Sequence, residues 1–137
     1  MANLKGARLS VDWTGRSVLV TGAGGFVGSW LTRALVERGA SVGCLLLPEE
    51  AATKLAGHGV LDAVTVVRAD LVDLDGVSAA VAGHGHDAVF HLAAQAIVGI
   101  ANAAPLRTLQ TNIEGTWNVL EACRTSGVER IVVASSD

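Results

Sequence analysis

The chain is expected to fold as an α/β protein, a doubly wound parallel sheet with strand order 3-2-1-4-5, and three observations predict this. From residue 17 onward, short apolar runs of strand length alternate with stretches of helical period. The runs are apolar throughout rather than alternating with polar residues, as befits strands covered on both faces. The connections are short, and repeated strand-helix-strand units of this kind close as right-handed crossovers.

In order along the chain, SVLVT (17–21) forms the first strand. FVGSWLTRALVERG (26–39) places Val27, Trp30, Leu31, Ala34, Leu35 and Arg38 at helical spacing, with Gly39 suited to end the helix. SVGCLLL (41–47), stopped by Pro48, and AVTVVRAD (63–70) are the second and third strands. PEEAATKLAGHG between them accommodates a short helix, and GVSAAVAG (76–83) forms another. DAVFHLAA (87–94) is the fourth strand. APLRTLQTNIEGTWNVLEACRTSG (104–127) reads as one long helix, with Pro105 in its first turn and Leu106, Leu109, Ile113, Trp117, Leu120 and Cys123 or Arg124 along one face. RIVVASS (130–136) is the fifth strand. Residues 1–16 form an N-terminal extension whose Trp13 is expected to pack back on the sheet edge, and residues 17–137 form one domain.

Composition narrows the functions open to such a fold. The chain has 137 residues, 50% of them hydrophobic, so it can bury a real core. A net charge of −3 supplies no basic patch for nucleic acid or an anionic membrane. No apolar stretch approaches the roughly 20 residues that span a bilayer, and MANLKGARLS lacks the apolar core of a signal peptide, so a cytoplasmic location is expected. Cys44 and Cys123 have neither metal-site nor disulfide-scaffold spacing and read as reduced packing residues. His84 and His86 flank a glycine without a third ligand, so they are read as solvated and no metal is expected. His91 reads as a packed, hydrogen-bonded residue, and Arg107, Glu114, Glu121, Arg124, Glu129 and Arg130 as solvated surface around the long helix.

VTGAGGFVGSW carries the chemistry. It sets Gly22, Gly25 and Gly28 between a strand and a helix, with Phe26 and Val27 in the turn between. Glycine there permits a sharp turn, a close approach of backbone N–H groups to a pyrophosphate and tight helix-strand packing, while the helix N-terminus favours negative charge. The strand before and the helix after are the context that a dinucleotide-binding, Rossmann-like loop requires. A triphosphate-binding loop is excluded because no Gly-Lys-Ser/Thr follows.

At this point the sequence resembles a family, the extended short-chain dehydrogenases/reductases, which include NAD-dependent epimerases and dehydratases. Thr21 to Gly28 matches their TGxxGxxG loop, and RAD followed by Leu71 resembles their third-strand Asp-Leu. HLAAQ resembles their fourth-strand signature, and TNIEGTWNVLEAC their long helix. The resemblance implies that Asp70 bonds the adenine amino group and Leu71 flanks the ring. It also implies that Leu92, Ala93, Ala94 and Gln95 line the cofactor near the ribose and nicotinamide, with Asn112 close by. The lead-in DWTGR and the GSWL after the loop look most like the sugar-nucleotide 4,6-dehydratases, those acting on CDP-glucose or GDP-mannose, although the 4-epimerases share every cofactor motif.

The resemblance further implies NAD as cofactor, with NADP left open, and a nucleotide-sugar substrate for the full-length protein. In that chemistry hydride leaves C4 of the sugar and later returns, and each proton step needs a positioned acid or base. Ser136 and Asp137 match the family's hydroxyl and carboxylic acid at the end of the fifth strand, and they are the expected catalytic residues. Two departures stand out. Leu46 and Leu47 occupy the end of the second strand, where NAD enzymes place an acid; Glu49 lies beyond Pro48, and no arginine is placed to meet a 2′-phosphate. The chain also contains no tyrosine, so it lacks the family's Tyr-x-x-x-Lys pair. It is therefore expected to be the N-terminal, cofactor-binding portion of an enzyme, without its substrate domain and inactive alone. The alternative is a non-catalytic nucleotide-sensing module. A homodimer is also expected, since an unpaired fifth strand invites pairing.

Overall fold

The structure, a computed structural model, describes residues 11–135. The expected catalytic residues Ser136 and Asp137, with most of the N-terminal extension, lie outside the described residues.

Five parallel strands form one sheet in the order 3-2-1-4-5, as the sequence predicts. They are β1 (Ser17–Thr21), β2 (Ser41–Leu46), β3 (Val64–Arg68), β4 (Ala88–His91) and β5 (Arg130–Val133). Successive residues of β1 point to opposite faces, and each face has its own core. Val18 and Val20 pack with Leu35, Cys44, Leu46 and Leu55 on one side. Leu19 packs with Val77, Val81, Val119 and Cys123 on the other. Both cysteines are buried and free of any disulfide, and Trp13 packs on a face of the sheet, its ring 5.9 Å from that of Phe90, rather than on an edge.

The first face is covered by α1 (Phe26–Val36) and the short α2 (Thr53–Gly57). Helix α1 ends through Gly39, at φ +80°, where the Ala40 N–H returns to the Leu35 carbonyl. Its buried stripe coincides with the apolar one read from the sequence only at Leu35, with Leu31 packed partly buried against the core. Gly28, Ser29, Thr32 and Leu35 face the sheet, while Val27 and Trp30 are exposed. The cause is close approach: a Cβ on Gly28 would lie 2.0 Å from the Gly22 carbonyl oxygen, so only small residues fit beneath the helix. Trp30 packs instead against His58, at 4.4 Å between ring centroids.

The opposite face is covered by α3 (Leu74–Ala82) and the last of four helical pieces. Helix α3 starts two residues before the predicted boundary because the Asp73 side chain accepts the Gly76 N–H at 3.2 Å and caps it. A short α4 (Val98–Ala103) precedes the long helix expected over 104–127, which runs without a break from Pro105 to Ser126 as α5 (Pro105–Leu109), a π-helical turn over Gln110–Glu114 and α6 (Gly115–Ser126), closed by Gly127 at φ +71°. The side of α6 that packs inward is Gly115, Asn118, Val119, Ala122 and Cys123. Of the residues read along one face of the long helix, Leu106, Leu109, Ile113, Trp117 and Leu120 are exposed and Cys123 is buried. Here too a close contact decides, since a Cβ on Gly115 would meet that of Leu71 at 2.6 Å. Strand β5 ends at Val133, three residues earlier than predicted, with the Ala134 N–H bonded to the His91 carbonyl.

Candidate functional site

The C-terminal ends of the strands open into a cleft of about 440 Å³, where an open α/β sheet presents its ligand site. Gly22 and Gly25 line its floor. Gly22 turns the chain at φ +70°, and a side chain there would meet the Ala93 backbone at 2.7 Å. Gly25 is the N-cap of α1, with no side-chain cap and no acidic residue in the first turn. The helix therefore presents unpaired N–H groups and its positive dipole end to the cleft, which suits a pyrophosphate.

Of the other residues singled out from the sequence, Asp70, Leu71, Leu92, Ala93, Ala94 and Gln95 line the same cleft. Phe26 and Val27 are exposed on α1 and Gly28 is buried under it, none of them in the cleft wall. Asn112 stands one layer behind. Its Oδ1 accepts the Gln95 N–H at 2.7 Å and its Nδ2 donates to the Gln95 carbonyl at 3.1 Å, as a neighbouring strand would. The π-helical turn carries Asn112 to that position; such bulges recur at functional sites and leave no trace in hydrophobic periodicity.

His91 ties this wall together, packed and hydrogen-bonded as the sequence predicts. The Thr116 hydroxyl donates to the Asn112 carbonyl at 2.7 Å, so it accepts from His91 Nε2 at 3.1 Å. Nε2 then carries the proton and Nδ1 accepts from the Thr21 hydroxyl at 2.7 Å, whose oxygen accepts the Ala93 N–H at 3.2 Å. With the imidazole neutral, the chain of donors runs in one direction from the cleft wall to the π-helical turn.

Burial lowers the pKa of His91 below its ordinary 6.5, and burial likewise lowers that of His86. His86 is 6% exposed and bonded to the Ser17 hydroxyl at 2.9 Å, which corrects its reading as a solvated residue; His84 is the exposed one. Because the folded state resists protonating these rings, their contribution to stability is full above pH 6.5 and is lost as pH falls toward the folded values. Cys44 sets the other limit. Burial pushes its thiol up from 9.0 to about 11, so stability falls as pH rises across that interval. Melting temperature followed by circular dichroism from about pH 5 to about pH 10.5 should therefore peak on a plateau between these limits; a profile that stays flat through the acid side contradicts the neutral-imidazole assignment.

Two charged cleft residues escaped sequence reading. The turn at Pro48 brings Glu50 back over the end of β2, where its carboxylate accepts the Leu47 N–H at 3.2 Å and the Glu50 N–H bonds the Leu47 carbonyl at 3.1 Å. A Cβ on Gly24 would lie 2.1 Å from Glu50 Oε1, so the carboxylate rests against the glycine loop. The signal was Gly24, a fourth glycine with no part in the GxxGxxG spacing. Arg68 clamps the same turn by donating to the carbonyls of Leu47, Pro48 and Glu50 at 2.7, 3.2 and 2.6 Å. The second residue is Arg107, read as surface, which lines the cleft and pairs with Asp70.

Among the described residues, no group of three or more His, Cys, Asp or Glu could hold a metal ion, and no helix is long and apolar enough to cross a membrane.

A glycine turn feeding an uncapped helix N-terminus, on a parallel 3-2-1-4-5 sheet whose cleft lies at the strand ends, defines a dinucleotide-binding α/β domain. Comparison with known proteins agrees. The chain belongs to the NAD dependent epimerase/dehydratase family, whose profile matches residues 18–137. It is 36% identical to cinnamoyl-CoA reductase 2 of Medicago truncatula, over 93% of this chain and 37% of that protein. It is 34% identical to CDP-glucose 4,6-dehydratase of Salmonella typhimurium, over 91% and 35% respectively. Among solved structures, UDP-glucose 4-epimerase of Thermus thermophilus in complex with NAD aligns with a TM-score of 0.78 at 38% identity, covering 88% of this chain and 37% of that one. The chain thus spans about a third of the length of the relatives it matches.

Proposed function

We propose that this chain is the NAD-binding part of an enzyme that removes hydride from a nucleotide sugar and returns it, a 4,6-dehydratase or 4-epimerase acting in the cytoplasm. The observation that carries the reading is the bare N-terminus of α1 opening between Gly22 and Gly25 into the cleft. When bound there, NAD would supply a hydride acceptor and donor. The residues present fit it. Backbone N–H groups of the first turn of α1 would hold the pyrophosphate, Glu50 would face the adenosine ribose, and the Ala93–Gln95 wall braced by Asn112 would flank the nicotinamide ribose. Ser136 and Asp137 are proposed to act on the reacting sugar, the hydroxyl sharing a hydrogen bond with the oxygen being oxidised and the carboxylic acid protonating the leaving hydroxyl. With no tyrosine in the sequence, the chain alone is proposed to bind and not to turn over.

The similarity to cinnamoyl-CoA reductases favours a second reading, a reductase of a non-sugar carbonyl substrate. Assays of the full-length NAD-loaded protein separate the two, since conversion of a UDP-, GDP- or CDP-hexose supports the sugar reading and conversion of none of them favours the other. A homodimer is proposed as the assembly. The exposed Leu106, Leu109, Ile113 and Trp117 on the helical pieces, together with the β5 edge, supply the surface, and sedimentation velocity reads the outcome. Calorimetric titration with NAD and NADP tests the central claim: saturable NAD binding is expected, and no heat from either dinucleotide overturns it.

A further inference from the structure

We propose that Arg107 is a positioning residue for base recognition, holding the Asp70 carboxylate so that the cleft accepts an adenine and rejects a 6-oxopurine. The inference rests on the cofactor reading above and deepens it. Asp70 stands just past the end of β3, and the two oxygens of its carboxylate are taken by different elements. Oδ1 accepts the Val72 N–H at 3.2 Å, and Oδ2 accepts from Arg107 Nη2, carried by α5. Both side chains line the cleft.

Arg107 is the sole cation among the cleft's described lining residues, against the carboxylates of Glu49, Glu50 and Asp70. It is committed to one of the three. An exposed ion pair of this kind adds little to stability, which leaves its geometry as its main effect. A carboxylate offers about four lone-pair directions. With one donor fixed on each oxygen, its plane is set and the remaining acceptor directions are free for a ligand. Acceptors alone match the exocyclic N–H of a 6-aminopurine and oppose the oxygen of a 6-oxopurine. Without Arg107 the side chain is held on one oxygen only, and rotation with hydration blurs that distinction.

The test measures dissociation constants by calorimetry for NAD and for nicotinamide hypoxanthine dinucleotide, in which an oxo group replaces the 6-amino group and N1 carries a proton, on the wild type, Arg107→Gln and Arg107→Lys. The wild type should prefer NAD by about tenfold or more, Arg107→Gln should reduce the ratio to within about twofold, and Arg107→Lys should restore part of it. Thermal melts of the three should coincide. A wild type that binds both dinucleotides equally overturns the inference while leaving the cofactor reading standing. So does an Arg107→Gln chain that loses the same factor for both, which would make Arg107 a phosphate ligand or a structural tether. A wild type that binds neither overturns both.

Discussion

Gly25→Val should abolish dinucleotide binding and leave the protein folded, whereas Gly28→Ala should unfold it. The two glycines sit in one motif but meet different constraints. Gly25 is exposed at the mouth of the cleft with φ −73° and ψ 177°, a conformation open to any residue, and an added Cβ meets only the Gly22 carbonyl oxygen at 3.2 Å. A valine there costs less than about 1 kcal/mol as an N-cap, yet its methyl groups occupy the path of a pyrophosphate toward the first turn of α1. A loss of at least about 100-fold in affinity, near 2.7 kcal/mol, is expected in calorimetry. At Gly28 the added Cβ falls 2.0 Å from the Gly22 oxygen and 2.7 Å from its carbon, both backbone atoms that cannot step aside. Separating α1 from β1 to make room opens the core around Leu35 and Val20, at about 3 kcal/mol or more. Thermal unfolding and calorimetry on both variants separate the effects. Retained NAD affinity in Gly25→Val would remove the loop from the binding site.

Glu50→Gln should transfer cofactor preference toward NADP. Glu50 holds a negative charge against the glycine loop at the end of β2, where a dinucleotide places its adenosine ribose. A carboxylate accepts hydrogen bonds from ribose hydroxyls and repels a 2′-phosphate. Arg68, the nearest candidate to neutralise that phosphate, has its Nη1 engaged by three carbonyls. Glutamine keeps an oxygen for the Leu47 N–H and removes the charge. NAD should weaken by about tenfold, the worth of a charge-assisted hydrogen bond, and NADP should strengthen by at least as much. In the wild type the preference should narrow as salt rises, because the repulsion is screened over about 8 Å at physiological ionic strength. An unchanged NAD to NADP ratio in Glu50→Gln would show that this carboxylate does not face the ribose.

How far the site was legible follows from the kind of signal each residue leaves. Gly22 and Gly25 were readable from a glycine loop set between a strand and a helix, while Asp70, Leu71 and Leu92 to Gln95 were readable only through the resemblance of RAD-Leu and HLAAQ to family motifs; all of them line the cleft, at or just past strand ends. Glu50 was passed over because it follows Pro48, a residue that stops the strand but whose turn returns the chain to where it left. Arg107 was assigned to solvent because a charge on an amphipathic helix normally is; its partner lies 37 positions away, a distance that no local pattern reports. The π-helical turn is invisible for a related reason, since it is held by a bond from Asn112 to Gln95 on another element.

The sequence by itself determined the order of strands and helices, the parallel sheet and the place of the glycine loop, because strand and helix periods and glycine conformations are local properties of the chain. Tertiary structure alone decided which face of each helix is buried. In α1 the Gly22 turn lies so near, and in α6 the Leu71 side chain, that glycine, serine, threonine and alanine enter the contact, and Trp30 and Trp117 are turned outward. Hydrophobicity ranks residues by what water rejects, but at a close contact the available volume decides, and that volume exists only once the elements have been brought together.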